Sequence, residues 1–361
     1  MARRYDRAMA AHGQPHPALR WDGRRVSVLD QTQLPAREAW LELTGAADTA
    51  AAIRRLAVRG APLIGIAAAY GLAMELTREP GLGTLERGAD ELTAARPTAV
   101  NLAWAVELVR DAAMAAGPTR MAGAARAEAQ RIHAQEDAAS AAIAAAGADV
   151  LAGARRILTH CNTGALAAGG AGTALAVILE LHARTGVRVL ANETRPLLQG
   201  ARLTVWELAR AGVPHELLVD GAAAGLIRRG EVDAVIVGCD RVARNGDVAN
   251  KVGTYGLALA ARAAAIPFVV AGPTSSIDSA LDTGDDIEIE ERGADEVREA
   301  GGTLLTLPGT PVRNPAFDVT PADLVSALVT ERGVAAPPTA ATIEPLLAGE
   351  PVAAASPAPA R

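Results

Sequence analysis

A chain of 361 residues, half of them apolar and only 2% aromatic, is long enough for two domains of about 150 residues each around aliphatic cores. Its net charge of −6 gives no basic footprint for nucleic acid or an anionic membrane, and no apolar run reaches bilayer-spanning length. Two cysteines at unrelated spacing exclude a disulfide framework and a CxxC zinc site, and the opening MARRYDRAMAAHGQPHPALRW lacks the apolar core of a signal peptide; the expectation is a cytoplasmic protein without nucleic-acid or membrane partners.

In chain order, residues 1–45 read as an irregular start with a strand pair in RRVSVLDQTQL, bounded by Asp22-Gly23 and Pro35. Residues 47–145 carry Ala/Leu/Arg/Glu periodicity and are expected to be helical. Breakers stand at Gly60-Ala61-Pro62, Glu79-Pro80-Gly81 and Gly117-Pro118. Near 150 the pattern changes to short apolar runs: RILTHC, VRVLANE, PHELLVD, VDAVIVGCD and PFVVAGP. Helical stretches separate them, which predicts a parallel sheet covered on both faces. The fold class is therefore α/β: a smaller, helix-rich N-terminal α/β domain over 1–148 and a Rossmann-like domain over 149–335. Residues 336–361 read as an Ala/Pro-rich tail, disordered towards its end; the alternative is a docked helix around TIEPLL.

Ligands of an open α/β sheet bind at the carboxyl ends of its strands, and unusual residues gather there. The first strand of the second domain ends in Thr159-His160-Cys161-Asn162. A cysteine between a buried strand and a helix start is placed to be held as thiolate by unpaired amides; the plain alternative is a small apolar residue closing a strand. Asp240 ends the apolar run AVIVGC, where desolvation would keep its carboxyl protonated as a proton donor; a helix cap or an ion pair with Arg241 is the alternative. Cys239 should point to the opposite face and is read as structural. Of 35 basic residues only Lys251 is lysine; with Asn250 it is expected to open a helix, and its compact charge is not interchangeable with arginine in a tight site. Arg59-Gly60-Ala61-Pro62 can present a guanidinium and backbone amides to a phosphate, or be a plain linker. There is no GxGxxG, GxxxxGK[ST] or HExxH, and the six histidines lack ligand spacing, so neither a cofactor nor a metal is expected.

From about Arg25 to Val334 the chain resembles the S-methyl-5-thioribose-1-phosphate isomerases of methionine salvage, a family related to the regulatory subunits of initiation factor 2B. The resemblance rests on RGAPLIGIAAAYG (59–71), THCNTGALA (159–167), NETRPLLQGARLTVWEL (192–208), GCDRVARNGDVANKVGTYGLAL (238–259), PTSSIDSALDTGDDIEIEER (273–292) and NPAFDVTP (314–321). It implies an aldose–ketose isomerase acting on a sugar 1-phosphate, without cofactor, as a homodimer. It places the catalytic cysteine on Cys161 and the proton donor on Asp240. It places substrate contacts on Arg59, Gly60, Ala61, Arg96, Gln199, Asn250 and Lys251. The chain departs from the family at Asp220-Gly221-Ala222-Ala223-Ala224, where a polar stretch is usual, at Cys239, and at the aromatic-free Ala168-Gly169-Gly170-Ala171. A sibling isomerase for 5-deoxyribose 1-phosphate or ribose 1,5-bisphosphate, and a non-catalytic regulatory subunit, are the alternatives.

Overall fold

A computed structural model of the chain describes residues 17–97 and 99–349. They form two compact units, one taking the chain up to Ser140 together with Thr163–Gly172, the other Ala141–Asn162 and the chain from Thr173 onward.

The first unit opens with an antiparallel meander, β1 (Leu19–Trp21), β2 (Val26–Leu29) and β3 (Trp40–Leu43). Its first turn is set by Asp22, whose carboxylate accepts the N–H groups of Arg24 (2.8 Å) and Arg25 (2.7 Å). The helices α1 (Ala46–Arg54), α2 (Ala61–Arg78), α3 (Leu82–Thr93), α4 (Val100–Ala116) and α5 (Met121–Val150) follow, the last running on past Ser140 into the second unit, and the three predicted breakers fall at the junctions, with Ala61 and Pro62 opening α2. A single turn, α6 (Ala165–Ala168), also belongs to this unit. Helix α2 is apolar all round and buried from Leu63 to Met74, so α1, α3, α4 and α6 pack about it as a central rod.

The second unit is built on a seven-stranded sheet. Its strands are β4 (Arg156–Thr159), β5 (Arg188–Asn192), β6 (His215–Leu218), β7 (Ala234–Val237), β10 (Phe268–Ala271), β15 (Ala327–Thr330) and β16 (Gly333–Ala335), in the order β16-β15-β10-β7-β4-β5-β6. All pairs are parallel except β15–β16. The five apolar runs of the sequence are five of these strands. Their side chains alternate between two cores: Ile157, Ile236 and Val269 face one, Leu158, Val235 and Val270 the other. Helix α7 (Ala174–Thr185) covers the first face; α9 (Ala223–Arg228) and α10 (Thr254–Ala263) cover the second, while α8 (Val205–Arg210) sends Leu208 into the first core. Between β7 and β10 run β8 (Arg241–Ala243) and β9 (Val248–Lys251). With β11 (Ile277–Asp278) and β14 (Phe317–Thr320) they make a second sheet, β11-β8-β9-β14. A short hairpin, β12 (Glu299–Ala300) with β13 (Thr303–Leu304), and one turn of helix, α11 (Asp295–Arg298), complete it. Among the described residues no helix is long and apolar enough to cross a membrane.

The Ala/Pro-rich tail is corrected in part. Residues Ala340–Ala348 form helix α12, capped by the Thr339 hydroxyl, and its Ile343 and Leu346 are buried in the second core. The pair lies at i, i+3, enough to make one apolar stripe despite Pro345. Residues 350–361 lie outside the described residues. Leu346→Ala should therefore lower stability by about 3 kcal/mol, as for other fully buried leucines, in equilibrium urea unfolding. A loss below about 0.5 kcal/mol would mean that α12 does not share the core.

Candidate active site

The six parallel strands run β6-β5-β4-β7-β10-β15, so the connections leave β4 in one direction and β7 in the other. Such a switch point opens a crevice beyond the carboxyl ends of the two central strands. His160 and Cys161 follow β4, and Gly238, Cys239 and Asp240 follow β7, its direct neighbour with Thr159 opposite Ile236.

Cys161 is half-buried and has φ 64°, a left-handed backbone that a residue with a Cβ seldom adopts. Its N–H donates to Thr194 Oγ1 (2.9 Å), and its carbonyl accepts from Thr204 Oγ1 (2.6 Å). Cys161 does stand between a buried strand and a helix start, but that helix is short. The next helix in sequence, α6, is only four residues long and starts at Ala165, and the Cys161 amide is already taken by Thr194.

His160 is 1% exposed. Its Nε2 lies 2.9 Å from the Val252 carbonyl, which can only accept, so Nε2 carries the proton; Nδ1 then accepts from the Asn192 amide at 3.3 Å. Burial holds its pKa below the usual imidazole value, against the Val252 bond and the nearby Asp220 carboxylate, so the ring is neutral. This ring joins the β4 end to the residues after β9. Asp240 N–H in turn donates to Ala249 O (3.0 Å), so the β7 end lies on the same strand. Cys161, Asp240, Asn250 and Lys251 are thereby brought to one edge of the second unit.

Two expectations at this edge are corrected. Asp240 is exposed: β7 ends at Val237, and the apolar strand does not enclose a carboxyl three residues beyond it. Asn250 and Lys251 do not open a helix but end β9, paired with Asp318 and Phe317 of β14; α10 starts at Thr254. Asn250 is buried and donates to Thr254 Oγ1 (3.0 Å). Lys251 Nζ donates to Ala316 O (2.7 Å) and stands 4.6 Å from the centre of the Phe317 ring. Cys239 packs against Gly272, and its thiol is pushed up to about 12, first by burial and then by the Asp240 charge, which leaves it protonated and inert.

Gln199 precedes a π-turn, Gly200–Thr204, and its buried Oε1 has no hydrogen-bond partner among the described residues. Gly200 is pressed against the Asn192 carbonyl. In the first unit Arg59 is half-buried, and Gly60, at φ 91°, directly precedes α2; a Cβ on Gly60 would lie 2.3 Å from Ala167 O. Only glycine fits both demands. Ala61 and Pro62 form the first turn of α2, and Arg96 is half-buried after α3. A cavity of about 630 Å³ in this unit, walled by Trp21, Leu43, Met74, Arg78 and Arg126, includes none of Arg59, Gly60, Ala61 and Arg96.

The initiation factor 2 subunit family matches residues 57–337. A methylthioribose-1-phosphate isomerase of Anaeromyxobacter sp. (strain K) is 54% identical over 332 residues, covering 91% of this chain and 96% of its own. That of Alcanivorax borkumensis is 48% identical over 335 residues, covering 92% and 97%. This chain belongs to the initiation factor 2 subunit family, among its methylthioribose-1-phosphate isomerases. The fold agrees. The crystal structure of 5-methylthioribose 1-phosphate isomerase from Pyrococcus horikoshii OT3 superposes with a TM-score of 0.87 at 36% identity, covering 95% of this chain and 98% of that one. That of translation initiation factor eIF-2B, subunit delta, from A. fulgidus gives 0.84 at 37% identity, covering 92% and 99%.

Within this isomerase frame, sequence reasoning passed over Thr194, Thr204 and Asp220. Asp220 accepts the N–H groups of Thr194 (2.8 Å) and Arg195 (2.7 Å), so the acidic residue opening the departure from the family pattern still has a structural task. The lone lysine sits where a carbonyl and a ring face receive one compact ammonium. Lys251→Arg should weaken sugar-phosphate binding by about tenfold or more although charge is kept. Titration calorimetry with wild-type affinity in the variant would remove Lys251 from the substrate contacts.

Proposed function

We propose that this chain converts S-methyl-5-thio-α-D-ribose 1-phosphate into S-methyl-5-thio-D-ribulose 1-phosphate, with Cys161 and Asp240 as its acid/base pair. The observation that carries the reading is their position, at the carboxyl ends of neighbouring strands on the two sides of the switch point. An aldose 1-phosphate has no free anomeric hydroxyl, so its ring does not open unaided. A proton must reach the ring oxygen, and hydrogen must then move from C2 to C1. That calls for an acid, a base and a fixed phosphate. Asp240 is the acid, protonated once the sugar covers its carboxyl. Cys161 serves the carbon-bound hydrogen. Lys251 and Asn250 contact the substrate from the end of β9, Gln199 from the start of its π-turn. Arg59, with the Gly60 and Ala61 amides at the start of α2, supplies the chemistry of a phosphate anchor, and Arg96 a further cation.

The reading extends to a cytoplasmic homodimer. Leu217 and Val219, 50% and 62% exposed on and just after the edge strand β6, form apolar surface that a second copy would cover. Sedimentation at micromolar concentration tests this; a monomer ends it.

Turnover on a panel of sugar 1-phosphates tests the activity. The methylthio sugar should be isomerised fastest, and 5-deoxyribose 1-phosphate should still turn over, since an apolar pocket separates such groups by only about 1–3 kcal/mol. Preference for ribose 1,5-bisphosphate would reassign the substrate. Binding without turnover on every sugar would make the chain a regulatory subunit.

A further inference from the structure

We propose that Thr194 and Thr204 are positioning residues that grip the Cys161 peptide from both sides and fix the direction of its thiol. The inference rests on the catalytic reading of Cys161. At φ 64° the Cys161 backbone is strained, and such a conformation persists only where its surroundings over-determine it. The two threonines do so. Thr194 Oγ1 accepts the Cys161 N–H (2.9 Å) and donates to Asn192 O (3.2 Å). Thr204 Oγ1 donates to the Cys161 carbonyl (2.6 Å) and accepts from Asn162 Nδ2 (3.3 Å). Both side chains are buried, 0% and 2% exposed, so water cannot replace either hydroxyl.

Each threonine is held from behind. Thr194 has φ 64° itself, and the Asp220 carboxylate binds its N–H and that of Arg195, one oxygen to each. Thr204 closes the π-turn Gly200–Thr204, and Asn162, its partner, is tied to Glu207 Oε1 at 2.7 Å. Losing one hydroxyl leaves a peptide N–H or carbonyl without its partner and releases the strained dihedral. The Cβ–Sγ bond then swings, and the thiol leaves the position that proton transfer requires.

The test uses Thr194→Val and Thr204→Val, which keep shape and lose the hydroxyl, and Thr194→Ser and Thr204→Ser, which keep it. All are made in a Cys239→Ala background so that Cys161 is the sole thiol. Three quantities are read: kcat and KM on the methylthio sugar phosphate, the alkylation rate of Cys161 by iodoacetamide against pH, and the melting temperature. Each valine variant should lower kcat about 30-fold with KM within about threefold, and shift the alkylation profile about fivefold in rate. The serine variants should restore both. Folded valine variants with kcat and alkylation within twofold of the parent overturn the proposal, as does a loss that serine does not rescue. If the valine variants fail to fold, Asp220→Asn, at a half-exposed position, takes their place; unchanged alkylation and kcat there also overturn it. If the parent turns over no sugar phosphate the functional reading fails, while the alkylation profile still decides whether the threonines hold the cysteine.

Discussion

Cys161→Ala and Asp240→Asn should each lower turnover about a thousandfold or more while leaving substrate affinity within a few fold, and the double variant should be little worse than either. The two residues follow adjacent parallel strands, β4 and β7, and the contacts His160–Val252 and Asp240–Ala249 bind the two strand ends to β9 and the residue just after it. Substrate contacts are assigned to other residues, so binding should survive. Groups that act in one proton-transfer sequence are non-additive, because removing the first already abolishes the step the second assists. Titration calorimetry beside single-turnover kinetics on the three variants decides it. Near-normal turnover in either single variant removes that residue from the mechanism. Because Asp240 is exposed, Asp240→Asn should also leave the melting temperature within about 1 °C, which separates lost chemistry from lost fold.

The largest effect on stability is expected from Gly200→Ala, at more than about 4 kcal/mol. A Cβ there would lie 1.6 Å from the Asn192 carbonyl oxygen and 2.8 Å from its carbon. The obstacle is backbone at the end of strand β5, not a side chain that can turn aside. Asn192 also donates to His160, so any displacement reaches the residue beside Cys161. Gly256→Ala on α10 is the control: a Cβ there meets nothing within 4 Å, and the change should be neutral or stabilise by up to about 1 kcal/mol. Urea unfolding of both variants checks the pair; a Gly200→Ala protein within about 1 kcal/mol of wild type would mean that the π-turn yields freely.

The parallel sheet was legible because both its faces are covered: runs such as Ala234–Val237 are apolar at every position, a pattern an exposed sheet cannot show. The helix junctions were legible because Gly and Pro mark them. The second sheet was not. Arg241–Ala243 and Ile277–Asp278 are too short and too polar to carry a period, and Lys251 was read as a helix start because an amphipathic stretch follows it. The Asp240 environment was misjudged because sequence shows that a run is apolar but not where its strand stops. A docked helix around TIEPLL stood only as the alternative, because the Ala and Pro around Ile343 and Leu346 weaken its apolar stripe. Thr194 and Thr204 lie within a quoted motif, but their contacts with Cys161 could not have been found, since these span 33 and 43 residues through turns that no local pattern announces.

The left-handed backbone of Cys161 also has a genetic consequence. Glycine is at ease at φ 64°, where cysteine and alanine are not, so Cys161→Gly should be about 1 kcal/mol more stable than Cys161→Ala; equal melting temperatures would deny that strain. Cysteine and glycine codons differ at a single base. One mutation can therefore remove the thiol and relax the chain in the same step, leaving Asn250 and Lys251 undisturbed at the end of β9. Wherever selection on the thiol lapses, drift at this codon should meet little structural resistance, and the protein it leaves behind should still fold.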